Sequence, residues 1–239
     1  MKKTILIIGA NSDIAKEIAK KYLKKGNFLH LFTRNKEILL NSEKALFDKN
    51  NVKIQNFSFD DISNFTSMIS NLSPKPEVSI IANGYMGNNK DSIENIKEVF
   101  DINFIHIAQM CNHIVTYYKL NKIKGNLSVI SSVAGIKGRA KNYIYGSSKS
   151  AINTYLSGLR QKYSNEKICI TTIILGFVNT KMNKGLELNK ILLSEPDEIA
   201  KKIINAIEDN KEIYIPFLWR VIILILLIIP EKLFKKLRF

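Results

Sequence analysis

The stretch TILIIGANSDIAKEIAKKYLKKG (4–26) decides the fold, because it contains a strand, a tight turn and a helix in immediate succession. Apolar residues, several of them β-branched, fill positions 4–8, and Gly9 ends this run. Apolar residues then recur with helical spacing from Ser12, a candidate N-cap, to Gly26, which ends the helix. A strand that is apolar on both faces and leads straight into a helix is typical of a parallel sheet covered on both sides.

The rest of the chain repeats this alternation of strand and helix. Further strands are predicted at 28–34, 51–59, 77–84, 125–132, 167–175 and 212–216. Helices are predicted at 36–49, 61–71, 91–121, 143–165 and 196–209. We therefore predict an α/β fold with a single doubly wound parallel sheet of the Rossmann type in residues 1–216, followed by an apolar and basic tail in 217–239.

Composition limits the functional classes. The chain has 239 residues, 46% of them hydrophobic, and a net charge of +15, which together suit a globular protein with an anionic partner. Cys111 and Cys169 form no CxxC motif and the three histidines show no ligand spacing, so we expect no metal site and a reducing compartment. We expect no nucleic-acid binding, because the densest cluster of cations adjoins an apolar run and not a basic patch with interspersed aromatics.

The first turn is a candidate nucleotide site. A helix N-terminus offers free N–H groups and a partial positive charge to a pyrophosphate, which predicts contacts from the residues that follow the strand. These residues are Gly9, Asn11, Ser12, Asp13 and Ile14. A purely structural turn would also explain Gly9. Asp13 is electrostatically unfavourable beside a pyrophosphate, unless its side chain caps the helix and points away.

The end of the second strand indicates which dinucleotide binds. The strand ends in Thr33 and Arg34, with no Asp or Glu to bind a ribose 2′-hydroxyl. This favours NADP, with NAD still possible, although an ordinary surface arginine is the alternative interpretation of Arg34.

A tyrosine and a lysine share one face of a later helix. In YGSSKSAINTYL (145–156), Lys149 follows Tyr145 by four residues, and Ser132 ends the fifth strand thirteen residues before Tyr145. Because ligands of open α/β sheets bind beyond the carboxyl ends of the strands, Ser132 and Tyr145 are expected to face one crevice. A Lys149 cation would lower the pKa of the phenol from its usual value of about 10. A solvated helix face is the alternative.

This order of serine, tyrosine and lysine resembles the short-chain dehydrogenase/reductase family over about residues 3–216. The segment DIN (101–103) then implies that Asn103 is the fourth member of a catalytic tetrad. Further segments resemble cofactor-binding motifs of the family. The resemblance implies that these segments contribute Asp61 and Ile62 beside adenine, Asn83 and Gly84 at the end of the fourth strand, and Val178 and Thr180 beside the nicotinamide carboxamide.

The resemblance also implies a mechanism and a quaternary state. Tyr145 would be the general acid of carbonyl reduction and the general base of the reverse reaction. Lys149 would hold the nicotinamide ribose, Ser132 would bind the carbonyl oxygen, and Asn103 would hold a water that links Lys149 to solvent. The protein is expected to be an NADP-preferring oxidoreductase and a homo-oligomer. The segment 181–195 is expected to cover the site with apolar residues, namely Met182, Leu186 and Leu188.

The tail FLWRVIILILLIIPEKLFKKLRF (217–239) indicates membrane association. Its apolar stretch ends at Ile229 and is interrupted only by Arg220, but it falls short of the roughly twenty residues that a span needs. Cations follow Pro230, and Trp219 suits the headgroup level. We predict an anchor that lies in the interface of an anionic membrane, and that the domain still binds cofactor once 217–239 are deleted. A subunit interface or core helix, or a true span, are the alternatives.

The tail also resembles the endings of bacterial family members from cell-envelope polysaccharide pathways, such as those that reduce a decaprenylphospho-2-keto-pentofuranose. It implies a cytoplasmic enzyme, peripherally bound to the inner face of the membrane, that transfers hydride to or from the carbonyl of a lipid-linked or activated keto-sugar. A keto-lipid is an alternative small-molecule substrate. A non-catalytic nucleotide-binding regulatory protein is the alternative of another class.

Overall fold

The computed structural model describes residues 2–47, 50–88, 91–185 and 189–237. Leu186 and Leu188, predicted to line the site, lie outside these ranges, as do the last two residues of the tail. The strands are β1 (Thr4–Ile8), β2 (Phe28–Thr33), β3 (Val52–Asn56), β4 (Val78–Ile81), β5 (Asn126–Ser132), β6 (Cys169–Leu175), β7 (Phe177–Val178), β8 (Leu193–Ser194) and β9 (Ile213–Tyr214). The helices are α1 (Asp13–Lys24), α2 (Lys36–Phe47), α3 (Phe65–Ser70), α4 (Ile93–Phe100), α5 (His106–Leu120), α6 (Tyr143–Lys162), α7 (Pro196–Glu208), α8 (Phe217–Ile228) and α9 (Glu231–Phe234).

One parallel sheet organises the molecule. Its seven strands in the described ranges run in the order β3-β2-β1-β4-β5-β6-β9, and β7 pairs separately with β8. All the paired neighbours are parallel, as the apolar strands predict. The strand order reverses at β1, because β2 and β3 are added on one side of it and β4, β5 and β6 on the other. The crevice at the carboxyl ends of β1 and β4 is therefore where doubly wound sheets bind ligands.

Successive side chains of β1 point to opposite faces of the sheet, and each face is covered by a hydrophobic layer. The whole strand is therefore apolar. Ile5 and Ile7 pack in one cluster with residues of α1 and α7, including Ile18 and Ile203. Leu6 and Ile8 pack in a second cluster with residues of α3, α5 and α6. The doubly wound α/β fold is therefore confirmed.

Two predicted helices differ from the observed ones. The predicted helix 91–121 is divided by a π turn, Asp101–Ile105, between α4 and α5. The segment at 61–71 begins earlier, as a 3₁₀ turn at Phe59–Asn64 that continues into α3. Ser58 starts that turn, because its side chain accepts a hydrogen bond from the Asp60 N–H and so ends the extended backbone after β3.

The tail packs partly on the sheet domain. Trp219 and Ile223 of α8 form a third buried cluster with Val133 and Ile174. Trp219 is only 6% exposed and meets the Phe177 ring edge-on at 5.1 Å between centroids. The expectation that Trp219 sits at a headgroup level is wrong, because the indole is buried in protein.

Gly176 explains how the indole comes so close. A Cβ added at Gly176 would lie 1.7 Å from Trp219 Nε1, so only glycine leaves space for the ring. No helix among the described residues is both long and apolar enough to cross a bilayer.

Candidate active site

A cavity of about 700 Å³ opens at the carboxyl ends of the strands. The turn after β1, the ends of β2, β4, β5 and β6, and the first turns of α6 form its walls. Most of the residues predicted from the sequence line it, namely Gly9, Asn11, Ser12, Asp13, Ile14, Arg34, Asn83, Gly84, Ser132, Tyr145, Lys149, Val178 and Thr180. The fold therefore brings together, at one edge of the sheet, segments that are far apart along the chain.

Three predicted residues lie outside this lining. Asp61 is exposed and Ile62 half-buried on the 3₁₀ turn, whereas Phe57 and Phe59 line the cavity there. Asn103 is completely buried behind the cavity. Asp61 and Ile62 were assigned from the resemblance of this segment to a family motif, and that motif does not include Phe57 and Phe59.

Gly9 shapes the turn after β1. Its φ of +79° favours glycine, and an added Cβ would lie 2.9 Å from Asn83 Oδ1 and 3.0 Å from the Ala82 carbonyl carbon. The turn therefore packs directly on the end of β4. A bulkier residue would push the turn into the crevice that a ligand must enter.

The N-terminus of α1 fits a pyrophosphate. Ser12 is the N-cap residue, but its side chain makes no capping hydrogen bond, so the first N–H groups of α1 are not capped by it. The side-chain oxygens of Asn11 and Asn83 are buried with no hydrogen-bond partner among the described residues. Both atoms are acceptors, so their partners must be donors such as the ribose hydroxyls or amide groups of a dinucleotide, whereas the N–H groups of α1 suit its pyrophosphate. The residues present therefore fit a dinucleotide.

Asp13 does not compete for that site, since its carboxylate faces another segment. Its Oδ2 accepts a 2.8 Å hydrogen bond from the Lys181 N–H. The bond ties α1 to the segment after β7, and Met182 of that segment lines the cavity as predicted. Asp13 was predicted among the cofactor-binding residues, with an unfavourable charge unless its side chain capped the helix. In the structure its carboxylate instead holds the segment beside the cleft.

The end of β2 presents a cation to the cavity. Arg34 is exposed and lines the cavity, next to Thr33, which is 3% exposed. Asn11 Nδ2 donates to Thr33 Oγ1 at 2.7 Å and to the Asn35 carbonyl at 3.0 Å, and so fixes the first turn against β2. The described residues near this end include no acid at the position that would bind a ribose hydroxyl.

Ser132, Tyr145 and Lys149 converge at the other end of the cavity. The side chains of Ser132 and Tyr145 share a hydrogen bond. Lys149 Nζ lies 5.7 Å from the centroid of the Tyr145 ring, and Lys149 is only 2% exposed. The three side chains can therefore meet one small group, such as a carbonyl.

Burial dominates the titration of this group. It raises the pKa of Tyr145 to about 12, and the Ser132 hydrogen bond lowers that pKa only in part. Burial also lowers the pKa of Lys149 to about 8. The expected lowering of the Tyr145 pKa by Lys149 is wrong, because desolvation of the phenolate is the largest effect and only the Ser132 hydrogen bond opposes it. At neutral pH Tyr145 is a phenol that can donate a proton.

Asn103 supports this arrangement from behind. Its amide exchanges two hydrogen bonds with the Tyr85 backbone, at 2.8 and 2.7 Å, and donates to Ser148 Oγ at 3.1 Å. Ser148 Oγ in turn donates to the Tyr145 carbonyl at 2.8 Å. Asn103 lies in the π turn, and such turns are frequent at functional sites. Its side chain therefore connects the segment after β4 to the helix that bears Tyr145.

Sequence reasoning missed a second polar group in the cavity. Arg139, Lys141 and Asn142 line it just before α6. The signal was a pair of cations between the serine and the tyrosine motifs. Within the described ranges, no three His, Cys, Asp or Glu side chains are grouped as a metal site.

Comparison with known proteins places this geometry among enzymes. The family model described as short chain dehydrogenase matches residues 3–190. An uncharacterized oxidoreductase of Mycobacterium tuberculosis is 24% identical over 241 residues, which cover 97% of this chain and 96% of that protein.

Solved structures share the fold. A short chain dehydrogenase from Burkholderia cenocepacia in complex with NADP superimposes with a TM-score of 0.83 at 14% identity, covering 98% of this chain and 97% of that one. A short-chain dehydrogenase from Sphingobium yanoikuyae in complex with NADPH gives a TM-score of 0.79 at 18% identity, covering 96% and 97%.

Proposed function

The chain belongs to the short-chain dehydrogenase family, and we propose that it is an NADP-dependent reductase of a carbonyl group, with Tyr145 as the proton donor. The observation that carries this proposal is the convergence of Ser132, Tyr145 and Lys149 at one end of a cleft whose other end fits a dinucleotide. Three polar groups around one point suit a reaction in which a carbonyl oxygen gains a proton.

Ser132, Tyr145 and Lys149 have different roles in the proposed reaction. A bound nicotinamide cofactor supplies the hydride. Ser132 positions the carbonyl oxygen through its hydroxyl, and Tyr145 gives that oxygen a proton. A pKa of about 12 keeps Tyr145 protonated at neutral pH, which suits the direction of reduction. Lys149, with a pKa of about 8, is mostly charged at pH 7 and stabilises negative charge that develops on the phenol oxygen.

Cofactor preference follows from the end of β2. Arg34 lines the cavity with no carboxylate at the neighbouring position, so its guanidinium can bind a 2′-phosphate. Two structural neighbours hold NADP or NADPH, which agrees with this choice. We propose NADP as the cofactor. The Asn11 backbone N–H, the Ser12 hydroxyl and the first N–H groups of α1 are its proposed pyrophosphate contacts.

We expect NADPH to bind more tightly than NADH. Arg34→Ala should lower the ratio of the NADH to the NADPH dissociation constant by about tenfold or more, because a charge-assisted contact with phosphate is lost. Fluorescence titration of both cofactors measures the ratio. Lys36→Ala is the matched control, since it removes a nearby cation that does not line the cavity. A ratio that favours NADH in the unaltered protein would overturn the assignment.

The exposed face of the tail supports an amphiphilic substrate. Large apolar side chains of α8 and α9 remain in solvent, and they are Phe217, Leu218, Val221, Leu224, Ile225, Leu227, Ile228 and Leu233. Arg220, Lys232, Lys235 and Lys236 border this face. An apolar face edged with cations is complementary to an anionic bilayer surface. We propose that the enzyme docks there and reduces a keto-sugar linked to a lipid phosphate, as in envelope polysaccharide synthesis.

Docking is expected to depend mainly on the apolar face. Leu224 and Ile228 are 61% and 79% exposed and lie one turn apart, so Leu224→Asp with Ile228→Asp should abolish flotation with anionic liposomes without unfolding the chain. High salt should only weaken flotation, because each cation adds about 1 kcal/mol that salt screens.

The matched control carries the same two charges elsewhere. Ile38 and Ile93 are 54% and 80% exposed on α2 and α4, and Ile38→Asp with Ile93→Asp should float like the unaltered protein. If the unaltered protein does not float with anionic liposomes, the apolar face covers another surface and the lipid-linked substrate loses its support.

The proposed activity is tested by NADPH oxidation. The protein, purified in mild detergent, is mixed with NADPH and with polyprenyl-phospho-ketosugars, keto-sugar nucleotides and simple keto-lipids. We expect turnover with the phosphorylated keto-sugars. Turnover with keto-lipids alone would change the substrate class, and NADPH binding without any turnover would favour a regulatory nucleotide-binding protein.

A further inference from the structure

Two cations in the segment just before α6 line the cavity, and the proposed chemistry does not use them. Arg139 and Lys141 line the wall just before α6, six and four residues ahead of Tyr145. Arg34 lines the cavity at the end of β2, where the 2′-phosphate of the cofactor is expected. Arg139 and Lys141 therefore belong to the part of the cleft that receives the substrate.

Neither cation has an ionic partner in the part of the chain that the structure describes. Among the described residues, Arg139 and Lys141 make no ion pair and no side-chain hydrogen bond, whereas nearby Lys137 binds Glu231 at 3.0 Å and lies over the Phe234 ring. Arg139 is half-buried, and burial lowers the pKa of its guanidinium. A half-buried guanidinium without a carboxylate is stabilised when an anion binds to it.

The surroundings favour an anion further. Asp13 is the only carboxylate among the described residues that line the cavity, and it is engaged by the Lys181 N–H. Asp91, which accepts a hydrogen bond from Tyr143 at the start of α6, does not line the cavity. The Oδ1 atom of Asn142 is buried without a partner in the described part of the chain, so it can accept a hydrogen bond from a hydroxyl of the same ligand.

We propose that Arg139 and Lys141 form a subsite for a phosphate group on the carbonyl substrate, and that Asn142 binds a hydroxyl beside it. This proposal rests on the reductase activity proposed above and specifies its substrate as a phosphorylated hydroxy-ketone. Arginine binds two phosphate oxygens in a fixed geometry, and lysine adds a movable charge at the exposed rim.

Binding of inorganic pyrophosphate tests the subsite without knowledge of the substrate. The protein is first saturated with NADPH, so that the cofactor site is filled, and pyrophosphate is titrated by calorimetry. Arg139→Gln and Lys141→Gln should each weaken pyrophosphate binding by about tenfold and leave the dissociation constant of NADPH within about twofold. Lys141 is exposed, so its variant tests the subsite even if Arg139→Gln unfolds.

Lys167→Gln is the charge-matched control. Lys167 is exposed and lies just before β6, at the opposite end of the sheet from the cleft. The proposal is overturned if pyrophosphate does not bind the NADPH-saturated protein, or if Lys141→Gln and Lys167→Gln bind it equally well. Failure of NADPH to bind the unaltered protein would instead contradict the proposed reductase.

Two further ligands identify the source of the phosphate. Uridine diphosphate represents a nucleotide-activated sugar, and dodecyl phosphate below its micelle concentration represents a lipid-linked one. Tighter binding of either ligand than of pyrophosphate, lost in Lys141→Gln, supports the subsite and names the source. Equal binding of both ligands by Lys141→Gln and by the unaltered protein counts against it.

Discussion

Replacing Tyr145 by phenylalanine is expected to lower the turnover number by about 10²–10⁴-fold and to leave NADPH binding within a few-fold. The substitution keeps the ring beside Lys149 but removes the hydroxyl that Ser132 contacts. Since the pKa of Tyr145 is about 12, the phenol is the protonated donor throughout the neutral range. NADPH oxidation with the best carbonyl substrate, together with a cofactor titration, measures the two effects separately.

Tyr143→Phe is the matched control for this prediction. Tyr143 is 44% exposed, begins α6 and donates a hydrogen bond to Asp91, so the same atom is deleted one half-turn away from the site. Its turnover should stay close to that of the unaltered enzyme. A Tyr145→Phe enzyme as active as the control would show that another group supplies the proton.

Replacing Trp219 by alanine is expected to lower the free energy of unfolding by about 3–5 kcal/mol, as for other buried tryptophans. The indole is 6% exposed, contacts Phe177 and fills the space above Gly176, so its loss leaves a cavity beside the cleft. Trp219 is the only tryptophan, so unfolding in urea is followed by circular dichroism in both proteins.

Leu224→Ala is the control for this second prediction. Leu224 lies on the same helix but is 61% exposed, and its loss should change the stability by less than about 0.5 kcal/mol. Equal urea concentrations at the midpoint of unfolding for Trp219→Ala and Leu224→Ala would mean that α8 is not part of the folded core. The same packing means that deletion of 217–239 would expose Val133 and Ile174, so the deleted protein is expected to be destabilised as well.

The sheet could be predicted because its determinants are local. β1, its glycine turn and α1 follow one another within 4–26, and both faces of β1 are buried by helices that the same alternation generates. The positions of Ser132 and Tyr145 followed from a strand end and a helix start. Their convergence is a consequence of the parallel sheet, which collects all strand ends at one edge.

Other features depend on contacts that are distant along the chain. Trp219 was expected at a membrane because its neighbours are aliphatic, yet its environment is set by Gly176, forty-three residues earlier. The pKa of Tyr145 depends on its desolvation in the cleft, where the residue is half-buried, and spacing does not reveal this. Asp61 and Ile62 were placed by motif, whereas the cap at Ser58 starts the turn earlier and brings Phe59 to the cavity.

Hydride transfer to a carbonyl carbon is the central claim, and an isotope experiment tests it most directly. The protein is incubated with the phosphorylated keto-sugars and with NADPH that carries deuterium at both positions of the nicotinamide C4, and the products are analysed by mass spectrometry. The unaltered enzyme should give an alcohol with one deuterium on the carbinol carbon, and Tyr145→Phe should give at most about one hundredth as much in the same time. A protein that binds NADPH but transfers no deuterium to any of these compounds, or a variant that transfers it equally fast, would contradict the proposed function.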